Sequence, residues 1–285
     1  MTLEIKRDRL LEELAAMPSV AVALSGGVDS AVVAKAAALA LGANAVAVTA
    51  DSPSVARRDL EDARRVATFI GIRHVVIATN EFANSDYQKN DGTRCYYCKN
   101  ELYGHIERCL EELGVTVICS GANLDDDGDY RPGLVAAAEH AVRHPLQEAG
   151  FTKADVRALA RLWQLPVADK PASPCLSSRI APGVAVTVER TARVEAAETF
   201  LRSLGITDGR VRLHEGELAR IEVPLDDIAR LGDDTTRENL VTTFAGLGFR
   251  YITLDLAGFR SGSLNDLVPL EVKASIRQRL RTVTP

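Results

Sequence analysis

Short apolar runs alternate with helical segments along the first two thirds of the chain. Residues 20–24 (VAVAL) are apolar throughout and lead into a helix-like segment that ends at Gly42, a residue suited to the cap after a helix. Residues 44–50 (NAVAVTA) precede SVARRDLEDARRVATFIG. Residues 73–79 (RHVVIAT) precede a polar loop and then YYCKNELYGHIERCLEELG, and 115–121 (VTVICSG) follow. Apolar strands that alternate with helices predict an α/β fold, a parallel sheet covered by helices on both faces. Ligands of such sheets bind beyond the C-terminal strand ends. Three polar loops fall at that edge: the Gly-rich turn after 24, TADS after 48 and SGANLDDDGDYRPG after 119. Together they define a candidate site.

The opening stretch, MTLEIKRDRLLEELAAMP, alternates charge and leucine as an amphipathic helix does. A further helix is expected from Thr152, its N-cap candidate, to about Leu162. The Pro-, Ser- and Ala-rich loop at 166–183 then marks a boundary, so 1–183 reads as one domain and 184–285 as a second. In the second, a helix fits 187–204, strands fit GRVRLHEG and LARIEVP, short helices fit 225–231 and 235–247, and RYITLDL closes as a strand. That pattern predicts a smaller α+β domain.

Composition narrows the partners. The apolar fraction of 46% over 285 residues is ordinary for a packed core. The net charge of −5 argues against a broad basic face for nucleic acid, though not against a local basic pocket. No apolar run approaches the ~20 residues that span a bilayer. The N-terminus lacks the apolar region of a signal peptide. The expectation is a cytoplasmic protein with neither membrane nor nucleic acid as partner. Five cysteines in a reducing compartment make a disulfide framework an unlikely design. Cys119, in an apolar strand, and Cys109, in a helical pattern, read as structural.

Ser25, Gly26 and Gly27 let the backbone pass close to a ligand, and the next helix N-terminus would face an anion. Asp29 can hold Mg²⁺ or orient an attacking group, and Ser30 adds a hydroxyl. The plainer alternative is a tight strand-to-helix turn with Asp29 and Ser30 in its first helical turn. The lysine that follows the last glycine of a Walker loop is missing.

SGGVDSA, placed after an apolar strand and before a helix, resembles the PP-loop of the N-type ATP pyrophosphatases, whose signature is SGGxDS. The resemblance implies a Rossmann-like domain that binds the pyrophosphate end of ATP with Mg²⁺. It also implies attack at the α-phosphate, which accounts for the missing lysine, and adenine or ribose contacts near Ala23 and Thr49.

The remaining cysteines form a pattern of their own. TRCYYCKNELY carries Cys95 and Cys98 as C-x-x-C, and KPASPCLSSRI carries Cys175. A lone C-x-x-C can be redox-active, metal-binding or accidental. Two thiols at this spacing plus a third from a distant loop suit zinc or an iron–sulfur cluster, with no obvious fourth cysteine. SGGVDS, GTRCYYCKNELY, SGANLDDDGDYRPG, KPASPCLSSRI and LDLAGFRSGSLN occur in that order over nearly the whole chain. Together they resemble the LarE family, ATP-dependent pyridinium-3,5-biscarboxylic acid mononucleotide sulfurtransferases. The resemblance implies adenylation of a carboxylate of the pyridinium mononucleotide and its conversion to a thiocarboxylate, twice, toward the nickel-pincer nucleotide of lactate racemase. Family members differ in sulfur source. Some sacrifice the cysteine that matches Cys175; others bind a 4Fe–4S cluster through three cysteines and pass on an extra sulfide. Cys95, Cys98 and Cys175 favour the cluster type, with a sulfide donor as partner. The resemblance further implies a homo-oligomer, a hexamer in the family.

Arg210 and Arg212 are two apart on an expected strand and share one face. On sequence alone a solvated strand face is the better explanation; the resemblance favours a clamp on the mononucleotide phosphate, with Arg260 nearby. Asp125, Asp126 and Arg131 shape the site edge on the same reading. Arg179 can lower a thiol pKa or hold a phosphate, or be an ordinary surface arginine. Glu198 and Glu222 can ligate a metal or belong to an exposed helix face and strand edge. Two rival enzymes share the ATP chemistry: a tRNA thiolase, disfavoured by the acidic balance, and an ammonia-dependent ligase, which gives the three cysteines no role. A non-catalytic nucleotide or iron sensor is a rival of another class.

Overall fold

Four parallel strands run through the first part of the chain in the order β3-β2-β1-β4: β1 (Val20–Ala23), β2 (Ala45–Asp51), β3 (Arg73–Ala78) and β4 (Val117–Cys119). The computed structural model describes residues 1–126, 131–260 and 262–283. The chain parts into two compact units, Met1–Glu81 with Cys95–Ser173 and Ala274–Pro285, and Phe82–Arg94 with Pro174–Lys273. The sequence places the division at 183; the units part between Ser173 and Pro174, and the second draws in Phe82–Arg94. No local composition marks that segment. It belongs there because Tyr87 and Asn90, 1% and 2% exposed, bury their polar groups against residues 177–184.

In the first unit the helices are α1 (Leu3–Ala15), α2 (Val28–Leu41) and α3 (Arg57–Ile70). After α4 (Ser85–Lys89), which lies in the second unit, come α5 (Arg94–Leu113), α6 (Pro132–Glu139), α7 (Pro145–Glu148) and α8 (Lys153–Leu162). Strand side chains alternate between two cores, as a sheet buried on both faces requires. Val20 and Val22 of β1 join Leu10 of α1, Val33 of α2, Val66 of α3 and Leu159 of α8. Ala21 and Ala23 join Val46 and Val48 of β2, Ile106 of α5 and Ala136 of α6. Cys119 is buried in the first of these cores, 3.8 Å from the Met17 sulfur, and burial pushes its thiol up to about 12. The expected helix at 152–162 is α8, and Thr152 caps it in a reciprocal box with Asp155. The short helices α6 and α7 have no counterpart in the periodicity reading. Both open on a proline at their start, where its missing N–H costs nothing.

In the second unit α9 (Val188–Ser203) precedes β5 (Arg210–His214) and β6 (Leu218–Glu222). Then come α10 (Leu225–Leu231), α11 (Asp234–Gly246) and β7 (Tyr251–Leu254). β5 and β6 are antiparallel, and β6 and β7 parallel, in the order β5-β6-β7. Phe200, Phe244 and Phe249 stack in a chain with centroids 6.3 and 5.4 Å apart, between α9, α11 and the start of β7. A last helix, α12 (Leu270–Val283), was not signalled by the pattern. Among the described residues no helix is long and apolar enough to cross a membrane.

Candidate functional site

The strand order reverses at β1, whose neighbours are β2 and β4, and the turn that leaves β1 lies at that reversal. Two close backbone approaches fix the turn. Gly26 has φ +73°, and a Cβ there would stand 2.6 Å from the Asp59 carbonyl oxygen of α3. A Cβ at Gly121, after β4, would stand 2.6 Å from the Ser30 amide nitrogen. Only glycine permits either contact. Gly27 caps α2 without a side chain, so the amides of the first helical turn stay available to an anion. Ser25 Oγ and Ser30 Oγ lie 3.1 Å apart, and Ser30 Oγ also donates to the Gly27 carbonyl at 3.1 Å.

Thr49 is buried at the base of the turn and donates to the Leu24 carbonyl at 2.7 Å. Its oxygen therefore accepts from His74 Nε2, 2.8 Å away, which sets that imidazole as the Nε2–H tautomer. Burial, helped by Arg64, holds His74 below the usual histidine range. Ala23 ends β1 under the same turn.

Asp29 is clasped from two loops. Lys153, the first residue of α8, pairs with its Oδ2, and Asn123 Nδ2 donates to its Oδ1 at 3.2 Å. Asp125 Oδ2 accepts the Lys153 amide at 2.9 Å, and Asp126 pairs with Arg131 at 2.7 Å and accepts the Asn123 amide at 3.0 Å. Asp125, Asp126 and Arg131 thus shape the loop that carries Asn123 to Asp29. The rest of that acidic motif, Asp127 to Tyr130, lies outside the described residues. A second lysine, Lys170, donates to the Gly26 carbonyl at 3.1 Å and pairs with Asp59 and Asp62 of α3 at 2.8 and 2.7 Å. Sequence reasoning passed over both lysines. The only sequence signals were the position of Lys153 after a helix cap and that of Lys170 before a proline.

Cys95 lies in the first turn of α5 and Cys98 one helical turn on, Cys95 exposed and Cys98 half-buried. Tyr96 between them is held by α12: the Arg279 guanidinium lies 4.4 Å from its ring centroid and donates to its hydroxyl at 3.0 Å and to Glu139 at 2.7 Å. Among the described residues no three Cys, His, Asp or Glu side chains gather as a metal site.

In the second unit Cys175 starts the 3₁₀ turn Leu176–Arg179 and is half-buried. Arg179 faces inward, 1% exposed. Its Nε donates to Glu198 Oε1 at 3.0 Å, and its Nη1 donates to the carbonyls of Pro174 and Cys175. The two candidates from separate motifs, Arg179 and Glu198, are therefore one buried pair that braces the backbone under Cys175. Glu222, fully buried, accepts from Arg212 Nε at 3.0 Å and from Ser263 at 2.7 Å, and lies 3.0 Å from Arg220 Nη2. Neither glutamate lies on an exposed helix face or strand edge. Arg210 lies on the Phe259 ring at 5.0 Å and donates to the Gly209 carbonyl, while Arg212 reaches the Ser178 carbonyl at 3.4 Å. Arg260 is exposed, 3.7 Å from Asp255. The antiparallel register places Arg210 opposite Glu222 and Arg212 opposite Arg220, so this sheet face gathers guanidiniums around one carboxylate. Within it His214 Nε2, Arg220 Nε and Arg220 Nη2 are buried without a hydrogen-bond partner. The Glu222 contact of Arg220 is thus an ion pair off the hydrogen-bonding direction.

The chain has relatives that it matches over most of its length. Residues 7–100 match the family model described as NAD synthase. The chain is 47% identical to an uncharacterized protein of Synechocystis, over 92% of this chain and 98% of that one. It is 40% identical to the pyridinium-3,5-bisthiocarboxylic acid mononucleotide synthase of Lactiplantibacillus plantarum, over 93% of this chain and 95% of that enzyme. A tRNA-specific 2-thiouridylase of Azorhizobium caulinodans is 34% identical, and that match takes in 67% of this chain and 58% of the thiouridylase.

Proposed function

The chain belongs to the pyridinium-3,5-bisthiocarboxylic acid mononucleotide synthase family, and we propose on that premise that it is an ATP-dependent sulfurtransferase acting on the carboxylates of pyridinium-3,5-biscarboxylic acid mononucleotide. The observation that carries the reading is the turn after β1. Its glycines, its uncapped α2 amides and its flanking lysines make a pyrophosphate cradle without a Walker lysine.

The chemistry follows in two displacements. A substrate carboxylate oxygen bonds to the α-phosphorus of ATP, and the bond from that phosphorus to the bridging oxygen breaks, so pyrophosphate leaves. Ser25, Gly26, Gly27 and Ser30 hold the departing pyrophosphate. Asp29, whose carboxylate Asn123 and Lys153 orient, would hold Mg²⁺, which would supply neutralisation of the phosphate charge, and the loop edge near Ala23 and Thr49 receives the nucleoside. A sulfur nucleophile then bonds to the activated carboxyl carbon, and AMP leaves with the former carboxylate oxygen. Two rounds give the bisthiocarboxylate, toward the nickel-pincer nucleotide. Cys175 is the central thiol of the reading, since its turn is braced while its side chain stays partly open. On the cluster route it would be a ligand, and the sulfur would come from a donor sulfide. On the sacrificial route its own sulfur bonds to the carboxyl carbon. Loss of the Cα proton then breaks the Cβ–Sγ bond, frees the thiocarboxylate and leaves dehydroalanine, one sulfur per chain.

Cys95 and Cys98 would hold a 4Fe–4S cluster together with Cys175. The chemistry of the donor set fits: three thiols, two of them one helical turn apart, none in a disulfide. Such a cluster supplies an iron without a protein ligand, able to carry a sulfide from a donor. For the mononucleotide phosphate we assign Arg210, Arg212 and Arg260. With Arg220 they set four guanidiniums against the two carboxylates of Glu222 and Asp255, an excess of positive charge. Glu222 acts through Arg212 and Arg220, and Glu198 through Arg179, rather than as metal ligands. We place the enzyme in the cytoplasm, where thiols stay reduced, as a homo-oligomer, a hexamer by family likeness.

The test is pyrophosphate release from ATP with candidate acceptors offered separately. Release with the pyridinium mononucleotide and none with tRNA or ammonia acceptors supports the reading. Release with tRNA alone overturns it in favour of tRNA thiolation, and no release with any acceptor favours a sensor.

A further inference from the structure

Phe82–Arg94 interrupts the first unit in sequence yet folds with the second; Tyr87 and Arg94 reach Ser177 in the turn that Cys175 starts, and Asn90 holds the residues directly after it, 180–184. Asn90 has φ +54° and is 2% exposed. Its Nδ2 reaches the carbonyls of Ile180, Ala181 and Val184 at 3.2, 2.9 and 3.0 Å, and its own carbonyl accepts the Gly183 amide at 2.8 Å. Its Oδ1 accepts from Arg94 Nη1 at 2.5 Å, and the same nitrogen donates to the Ser177 carbonyl at 2.8 Å. Tyr87, 1% exposed, meets Ser177 Oγ at 2.7 Å.

With the brace from Arg179, nearly every carbonyl around the thiol is engaged. Pro174 O and Cys175 O are taken by Arg179. Cys175 O also accepts the Ser178 amide and hydroxyl. Ser177 O accepts from Arg94 and Ile180. Asn90 is the left-handed cap that ends α4, and from that fixed position its side-chain amide ties down the carbonyls of residues 180–184. The same arrangement ends at Arg94, the residue directly before Cys95 in sequence and the first of α5.

We propose that Asn90 and Arg94, supported by Tyr87, are positioning residues for sulfur transfer. They hold the Cys175 turn in the geometry from which sulfur reaches the activated carboxyl carbon, and they play no part in adenylation. The proposal rests on the sulfurtransferase reading above. It names a specific half of that reaction that the segment Phe82–Arg94 serves.

The experiment compares wild type, Asn90→Ala, Arg94→Met, Arg94→Lys and Tyr87→Phe as full-length protein. It measures pyrophosphate release with the pyridinium mononucleotide, thiocarboxylate formation by mass spectrometry, and the rate of Cys175 alkylation by iodoacetamide. Misplacement of a reacting group by an ångström costs up to about a hundredfold, so Asn90→Ala and Arg94→Met are expected to lose about tenfold to a hundredfold in thiocarboxylate. Their pyrophosphate release stays at the wild-type rate, and Cys175 alkylation changes several-fold. Arg94→Lys keeps one donor and recovers part of the loss, and Tyr87→Phe, which removes a single hydroxyl, shows a smaller loss of the same kind. Wild-type thiocarboxylate rates in Asn90→Ala and Arg94→Met overturn the proposal. So does an equal fall of both half-reactions in Arg94→Lys and Tyr87→Phe, which marks a role in the whole fold. If wild type itself forms no thiocarboxylate, the sulfurtransferase reading has failed, an outcome distinct from both.

Discussion

Lys170 Nζ lies 3.1 Å from the carbonyl oxygen of Gly26, across the turn that leaves β1. In a planar trans peptide the following N–H points the opposite way. Lys170 therefore turns the Gly27 amide toward the Ser25 side, where Ser25 Oγ sits 3.4 Å from that nitrogen. The lysine absent from its Walker position is replaced by one that acts on the loop backbone from α3's side, with Asp59 and Asp62 as its counter-charges. Lys170→Met is expected to raise the KM for ATP about tenfold, and to cost about 1–3 kcal/mol because two part-buried carboxylates lose their partner. Pyrophosphate release against ATP concentration and urea unfolding check the two parts.

The two glycines that touch neighbouring backbone define a second prediction. Gly26→Ala and Gly121→Ala each place a Cβ 2.6 Å from a main-chain atom of α3 or α2. Both are expected to abolish substrate-dependent pyrophosphate release. Gly246→Ala, at the end of α11 with nothing within 4 Å, is expected to leave activity unchanged and stability equal or up to about 1 kcal/mol higher. Parallel activity and melting measurements on the three variants decide it.

Removal of one partner from the Arg179–Glu198 pair leaves a charge stranded in the interior, at 1% and 3% exposure. Glu198→Ala is expected to destabilise the protein by about 3–5 kcal/mol. A metal-ligand role predicts instead a variant whose stability is restored by added divalent cation. Denaturant unfolding with and without Mg²⁺ separates the two.

Two histidines set an acid limit. His74 is held below the usual range by burial and Arg64, and His214 by burial and the neighbouring Arg220 and Arg212 against the pull of Glu222. When the folded pKa is depressed, the unfolded chain takes up protons first as pH falls below 6.5, the ordinary value. The stability held above that pH is then lost as pH drops toward the folded pKa. The melting temperature is expected to fall from pH 7 toward pH 5, and less steeply in His74→Gln, whose amide can still donate to Thr49. A pH series of melting curves for both proteins is the check.

What could be read from sequence was what local pattern encodes. The apolar runs at β1 to β4 gave a parallel sheet, and SGGVDS between β1 and α2 gave the phosphate-type turn at its edge. Cys175 and the Cys95–Cys98 pair stood out by spacing. Lys153 and Lys170 did not, because their partners Asp29 and Gly26 lie more than a hundred residues away in sequence. Nor did the burial of Glu198 and Glu222. An acidic residue on a helix or strand reads as solvated until the register puts an arginine against it, as β5 and β6 do for Glu222. Asn90 was hidden for a similar reason: its left-handed conformation and its three carbonyl contacts exist only once residues 180–184 fold over it.

The central claim is that the turn after β1 activates a carboxylate and Cys175 then delivers sulfur to it. The most direct measurement quantifies pyrophosphate, AMP and thiocarboxylate from the pyridinium mononucleotide for wild type and Cys175→Ala, with the intact protein mass recorded after turnover. The account predicts all three products from wild type, and pyrophosphate without thiocarboxylate from Cys175→Ala. An unchanged wild-type protein mass accompanies the cluster route, and the loss of H₂S from Cys175 the sacrificial one. Thiocarboxylate formed by Cys175→Ala at the wild-type rate would contradict the account.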